Sequence, residues 1–303
     1  MNQVTLHLVD TLNFYQKGFS STLTENSFRY ELMKPIEPMW NYLNTPLTPK
    51  NIGEYDSLMA SEMLGIWTPK KDFSLIEEYI PLLKETHIFE EANQVIQDSL
   101  KLFNQINYSI PLSEVTLNIL LGDSENSILM ESLGYSGFGG IPGYILLIIL
   151  PNEFNKTRLK SALAHEFNHN IRFTYEAFNH GNVSVEDYLV IEGLAEVFAE
   201  EFYGIEYRGP WIQDYDEEEM SYTIEVMRDG RHVKGFEQVA AYMYGDEVAR
   251  LQGFSPVGVS RNAGYTIGYH LVKEYLNNTN ATIAEATVTP TNIIIEKSNI
   301  FNF

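Results

Sequence analysis

The chain's 303 residues, 44% hydrophobic and 13% aromatic, suffice for one large folded domain or two smaller ones, and they exclude a disordered chain. A net charge of −21 repels phosphate backbones and anionic membrane surfaces, which argues against nucleic-acid and membrane partners. There is no cysteine, which excludes disulfides, thiolate metal ligands and a cysteine nucleophile; a bound metal would have to use histidine and carboxylate.

Residues 1–15 lack the basic start and apolar core of a signal peptide. The longest apolar run, residues 144–150, is too short to span a bilayer. The expectation is a soluble, cytoplasmic protein. Residues 1–110 form a helical N-terminal region. Ile76, Tyr79, Ile80 and Leu83, then Val95, Ile96, Leu100 and Phe103, recur at helical spacing. Pro35, Pro38, Pro46, Pro49 and Pro69 break this region into short pieces. His7 and His87 stand alone there and carry no motif.

The texture changes near Ser113, and residues 111–303 read as a second region. Val115, Leu117, Ile119 and Leu121 alternate as a strand, closed by Gly122 and Asp123. Residues 134–143 hold five glycines and a proline, and read as a flexible loop. Residues 144–150 read as a strand ended by Pro151, in the position of an edge that a substrate backbone could pair with. A helix over residues 159–173, capped at Asn155, follows. A loop over residues 179–183 carries His180. A second helix starts at Ser184 with a capping-box partner at Asp187 and ends at Gly204. The acidic stretch over residues 214–219 lacks the glycine and ligand spacing of a calcium loop and reads as solvated. A last helix covers residues 263–276.

The first of these helices contains His165-Glu166-Phe167-Asn168-His169. Residues four apart share a helix face, so both imidazoles can reach one metal ion, with Glu166 beside them. The apolar residues around the motif predict a buried helix, where two histidines and a carboxylate need partners. A catalytic zinc site takes three protein ligands and keeps one position open. Arg172 and Tyr175 stand where a three-histidine motif would need glycine and histidine, which excludes that pattern. His180 is one candidate for the third ligand. Glu192 is the better one: it lies four residues from Glu196 on an apolar helix, and two like charges there need a cation. Glu192 is expected to bind the metal, and Glu196 to accept the second N–H of a ligand histidine. Gly193 would let a neighbouring helix come close.

The pairing of His-Glu-Phe-Asn-His with Glu192-Gly193-Leu194-Ala195-Glu196 resembles the gluzincin zinc peptidases. Residues 113–276, with Gly264-Tyr265-Thr266-Ile267-Gly268-Tyr269, are similar to an uncharacterised bacterial family of predicted Zn-dependent proteases. The Gly-x-Met-Glu-Asn motif of the related aminopeptidases is missing. The resemblance implies an α+β, mostly helical fold with a zincin-like core, in which a small sheet lies beside the motif helix. It implies a Zn2+ cofactor, a peptide or protein substrate, and metal ligands His165, His169 and Glu192. Glu166 would be the general base. Tyr265 would be a second donor to the tetrahedral intermediate, with His270 and Arg261 behind it and His232 as a further choice. The alternative is a metal-stabilised binding or regulatory protein that uses the scaffold without turnover.

Overall fold

The computed structural model describes residues 2–19, 25–67, 74–177, 179 and 181–302; His180 and Pro69 lie outside them. The fold is α+β and mostly helical, with one four-stranded sheet among the described residues. Contacts divide the chain into two units. One, the sheet unit, comprises Gln3–Leu100 and Leu112–Asn170. The other, the helical unit, comprises Met1–Asn2, Lys101–Pro111 and Ile171–Phe303.

The sheet unit begins with β1 (Thr5–Leu8). The helices α1 (Thr11–Phe19), α2 (Glu25–Met33), α3 (Glu37–Tyr42), α4 (Ser57–Met63), α5 (Ser74–Glu85) and α6 (Ile88–Gln105) follow. Then come β2 (Glu114–Leu121), α7 (Ser127–Glu131), β3 (Tyr135–Ile141), β4 (Tyr144–Ile149) and α8 (Leu159–Tyr175); residues 101–105 of α6 and 171–175 of α8 already belong to the helical unit. The strand order is β1-β2-β4-β3, with β3 antiparallel and the other pairs parallel. Strands β2 and β4 occupy the middle, and from Val115 to Leu121 only Thr116 is not fully buried. This burial on both faces explains the near-continuous apolar sequence of both strands.

The structure corrects two local expectations. The glycine-rich stretch over residues 134–143 is strand β3, not a loop, and it is β3 rather than β4 that forms the sheet edge. Asn155 does not cap α8, which starts at Leu159. Its side-chain amide instead donates to the carbonyls of Leu133, Gly134 and Leu150. That ties the chain leaving β4 to the chain entering β3.

The helical unit contains α9 (Val185–Tyr203), α10 (Glu217–Gly230), α11 (Phe236–Tyr244), α12 (Asp246–Leu251), α13 (Ala263–Thr279), α14 (Ile283–Thr287) and α15 (Thr291–Ser298). Helix α9 starts as expected: Ser184 accepts from Asp187 N–H, and Asp187 reaches back to Ser184 N–H. Gly204, at φ 88°, ends it in a conformation that favours glycine. The long helices α9 and α13 cross at two glycines. A Cβ on Gly193 would strike the carbonyl of Gly268, and one on Gly268 would strike the carbonyl of Leu189. Close backbone approach of this kind requires residues without a side chain, so the glycine of the second-helix motif and the last glycine of the Gly-Tyr repeat share one cause. Around the crossing, Leu189, Leu194, Phe198, Ile267, Leu271 and Val272 are buried. Each such side chain contributes roughly 1.5–3 kcal/mol through burial.

Candidate metal centre

Residues 161–172 of α8 are all buried. His165 and His169 are 6% exposed and Glu166 is 7% exposed, so the three polar groups of the motif sit in an interior where they require partners. The two imidazoles stand edge to face, with ring centroids 4.7 Å apart.

Strand β3 fixes the place of Glu166. A Cβ on Gly137 would collide with its carboxylate, and one on Gly139 with its backbone carbonyl. The glycines therefore leave room for this one side chain and its helix. Asn170, one turn further on, holds the β3–β4 hairpin: its amide donates to the carbonyls of Gly139 (2.8 Å) and Tyr144 (3.0 Å), and its oxygen accepts from Gly143 N–H (2.7 Å). Sequence reasoning missed Gly137, Gly139 and Asn170. Glycine alternating on a strand (Gly137 and Gly139) was the available signal.

Glu192, on α9, is 8% exposed. Its carboxylate, with His165 and His169, forms a buried group that could hold a metal ion, the ligand atoms all lying within 4.8 Å of one another. Two imidazoles and one carboxylate are the donor chemistry that zinc takes in hydrolytic sites. The residues therefore fit the ion that the sequence implies.

Glu196, one turn beyond Glu192, was expected to support a histidine. Its carboxylate accepts the Trp211 indole N–H (2.6 Å) and Gly209 N–H (3.1 Å). Tyr265, on α13, is partly buried and close enough to Glu192 for that carboxylate to act on it. Burial first, then the charge of Glu192, push its hydroxyl well above the usual phenol range, so it is a proton donor. Tyr244 is hydrogen-bonded to it, and burial raises this second phenol as well.

The other candidates lie elsewhere. His270 packs edge-on against Tyr269 (5.3 Å), whose hydroxyl donates to Glu200. Burial, then the charge of Arg208, lowers the pKa of His270. Arg261 precedes the N-cap of α13. His232 is largely exposed and contacts Glu186 at the start of α9 (3.1 Å). The acidic stretch is structural: Asp214 pairs with Arg208, Asp216 caps α10, and Glu219 accepts from Ser260. Arg172, which excluded the three-histidine pattern, is 1% exposed. It donates to the carbonyls of Thr287 (2.9 Å) and Thr289 (2.6 Å) and pairs with Glu176. It holds the end of α8 to the α14–α15 connection.

Residues 88–296 match the model of a family described as predicted Zn-dependent protease (DUF2268). The chain is 40% identical over 301 residues to the uncharacterized protein YjfC of Bacillus subtilis (strain 168), covering 99% of this chain and 100% of that protein. It is also 23% identical over 159 residues to the uncharacterized protein YjaZ of the same organism, covering 50% of this chain and 55% of that protein. No solved structure matches. Among the described residues, no helix is long and apolar enough to cross a membrane.

Proposed function

We propose that this chain, which belongs to the family of predicted Zn-dependent proteases matched above, is a gluzincin-type peptidase that hydrolyses peptide bonds with zinc held by His165, His169 and Glu192. The observation that carries this reading is the buried two-histidine, one-carboxylate group with Glu166 beside it on α8. When bound, zinc would lower the pKa of a coordinated water toward neutrality and polarise the scissile carbonyl.

Glu166 acts as general base. It takes the proton of the attacking water and later delivers it to the leaving amine. Gly137 and Gly139 support this role, because they hold one carboxylate in one place against the sheet edge. Tyr265 donates a hydrogen bond to the carbonyl oxygen as negative charge builds on it. Its place beside Glu192 supports this. Residues 111–303 are the zincin-like catalytic region, and the substrate is a peptide or an unfolded segment of a protein.

A metal-stabilised binding protein would have no use for a base beside its metal. The Glu166→Gln variant separates the two readings. Hydrolysis of a peptide mixture should disappear while zinc is retained. Cleavage at the wild-type rate would rule Glu166 out as base.

A further inference from the structure

On α9, Tyr188, Glu192 and Glu196 follow one another four residues apart, so they form one stripe along the helix. A row of aromatic rings runs beside this stripe and is tied to both of its ends. At one end the Tyr188 hydroxyl lies 3.4 Å from that of Tyr244, the last residue of α11. The Tyr244 ring stands 6.0 Å from the Tyr265 ring on α13, and the Tyr265 ring 5.9 Å from that of Trp211. At the other end the Trp211 indole N–H donates to Glu196 (2.6 Å). The proposed metal ligand Glu192 therefore stands between the two ends of a row of four aromatic side chains. All of them belong to the helical unit.

Two features set the row apart from core packing. First, Tyr188, Tyr244, Tyr265 and Trp211 are all partly exposed, whereas Leu189, Leu194, Phe198, Ile267 and Leu271 on α9 and α13 are fully buried. A ring with a polar tip suits a surface that is apolar on one side and wet on the other. Second, Trp211 is held firmly. Its segment is fastened to α9 by Gly209 N–H on Glu196 (3.1 Å) and to α13 by Gln213 N–H on the Thr266 hydroxyl (3.0 Å). A Cβ on Gly209 would strike the indole, so the ring packs directly on the backbone there. Rigid aromatic side chains offer contact area at a small entropic cost, which suits them to binding surfaces. From Tyr188 to Glu196 the helix advances about 12 Å. That is the span of roughly three to four residues of an extended peptide.

We infer that this aromatic row is a wall of the substrate-binding face, and that it selects peptides with apolar or aromatic side chains on both sides of the scissile bond. Trp211 contacts the side chain at one end of the wall and Tyr188 the side chain at the other. The inference rests on the peptidase reading of the same site.

The test profiles the cleavage of a peptide library by the zinc-loaded full chain and by its Trp211→Leu, Trp211→Phe and Tyr188→Leu variants. The readout is the ratio of kcat/KM for phenylalanine over alanine at each position, because a ratio does not depend on the folded fraction. The wild type should favour phenylalanine on both sides of the cleaved bond. Trp211→Leu should lower the ratio about 2- to 10-fold on one side, the range of one aromatic contact, and Tyr188→Leu should lower it on the other side. Trp211→Phe keeps a ring and should retain most of the preference. A second readout needs no turnover. Trp40 and Trp67 are buried in the sheet unit, so a phenylalanine-containing peptide bound to the Glu166→Gln chain should shift tryptophan fluorescence through Trp211. Adding Trp211→Phe should abolish the shift. If Trp211→Leu fails to fold, Tyr188→Leu and the fluorescence carry the test. Unchanged ratios in the leucine variants overturn the inference. So do losses at one and the same position, a wild-type preference for lysine or arginine, or a fluorescence shift that survives Trp211→Phe. Zinc content and turnover of the wild type keep the two failures apart. A chain that binds zinc and cleaves peptides without this selectivity fails only this inference; a chain without zinc or turnover fails the peptidase reading, and this inference with it.

Discussion

Gly137 on the edge strand and Glu166 on α8 occupy what would be one volume, because the carboxylate of Glu166 fills the place where a Cβ of Gly137 would be. The base proposed for this site is thus held by the absence of a side chain on the neighbouring strand. Gly137→Ala should cost about 1–3 kcal/mol of stability, as overpacking does in a tight interior. It should also lower hydrolysis by more than the folded fraction falls. Thermal unfolding and peptide cleavage on one sample check both. Wild-type behaviour in both would contradict the fit.

Glu166→Gln keeps the shape of the side chain and removes its ability to take a proton. Turnover should fall about 10²- to 10⁴-fold, the usual worth of a positioned acid–base group. The melting temperature should stay near that of wild type. Steady-state kinetics with metal analysis on the same sample measures it.

Arg172 is a buried cation one turn after His169. Arg172→Ala removes donors from the carbonyls of Thr287 and Thr289 and from Glu176 and Thr291. Breaking such a group should cost about 3–5 kcal/mol. Lysine cannot reproduce the fork of the guanidinium, so Arg172→Lys should recover only part of it. Denaturant unfolding midpoints decide the order: wild type, then lysine, then alanine.

Tyr15 is fully buried and its hydroxyl accepts Leu121 N–H at 3.0 Å. Burial raises its pKa above the phenol value. The folded state therefore holds this proton more tightly than the unfolded chain. The stabilisation is complete below the unfolded pKa of about 10 and is lost as pH rises through the folded value. Unfolding free energy measured in urea should decline above pH of about 10 by up to roughly 1.4 kcal/mol per unit for this one group. Tyr15→Phe should be less stable near neutrality by about 1–3 kcal/mol, through the unsatisfied amide of Leu121, and its alkaline decline should be shallower.

The central strands, α9 and α13 were legible in the sequence because local rules determine them: apolar runs for β2 and β4, a capping box at Ser184, helical periodicity in α13. The second carboxylate four residues on pointed to Glu192, which does lie with the two histidines, although Glu196 itself is satisfied by the N–H groups of Trp211 and Gly209. Strand β3 was not, because glycine gives the same signal in a linker as in a strand whose Cβ positions are filled by Glu166 and its helix. Asn155 resembled a helix cap, but its amide satisfies carbonyls of the strand ends instead. Tyr244 and Tyr188 meet through the packing of α11, α13 and α9, and Glu196 meets Trp211 through a loop 15 residues away. No spacing within one helix encodes these contacts.

The zinc content of the chain, purified without chelator, tests the central claim most directly. One zinc per chain should be found in the wild type, with none in His165→Ala/His169→Ala and a reduced amount in Glu192→Gln. Full zinc retention by the double-histidine variant would contradict the site.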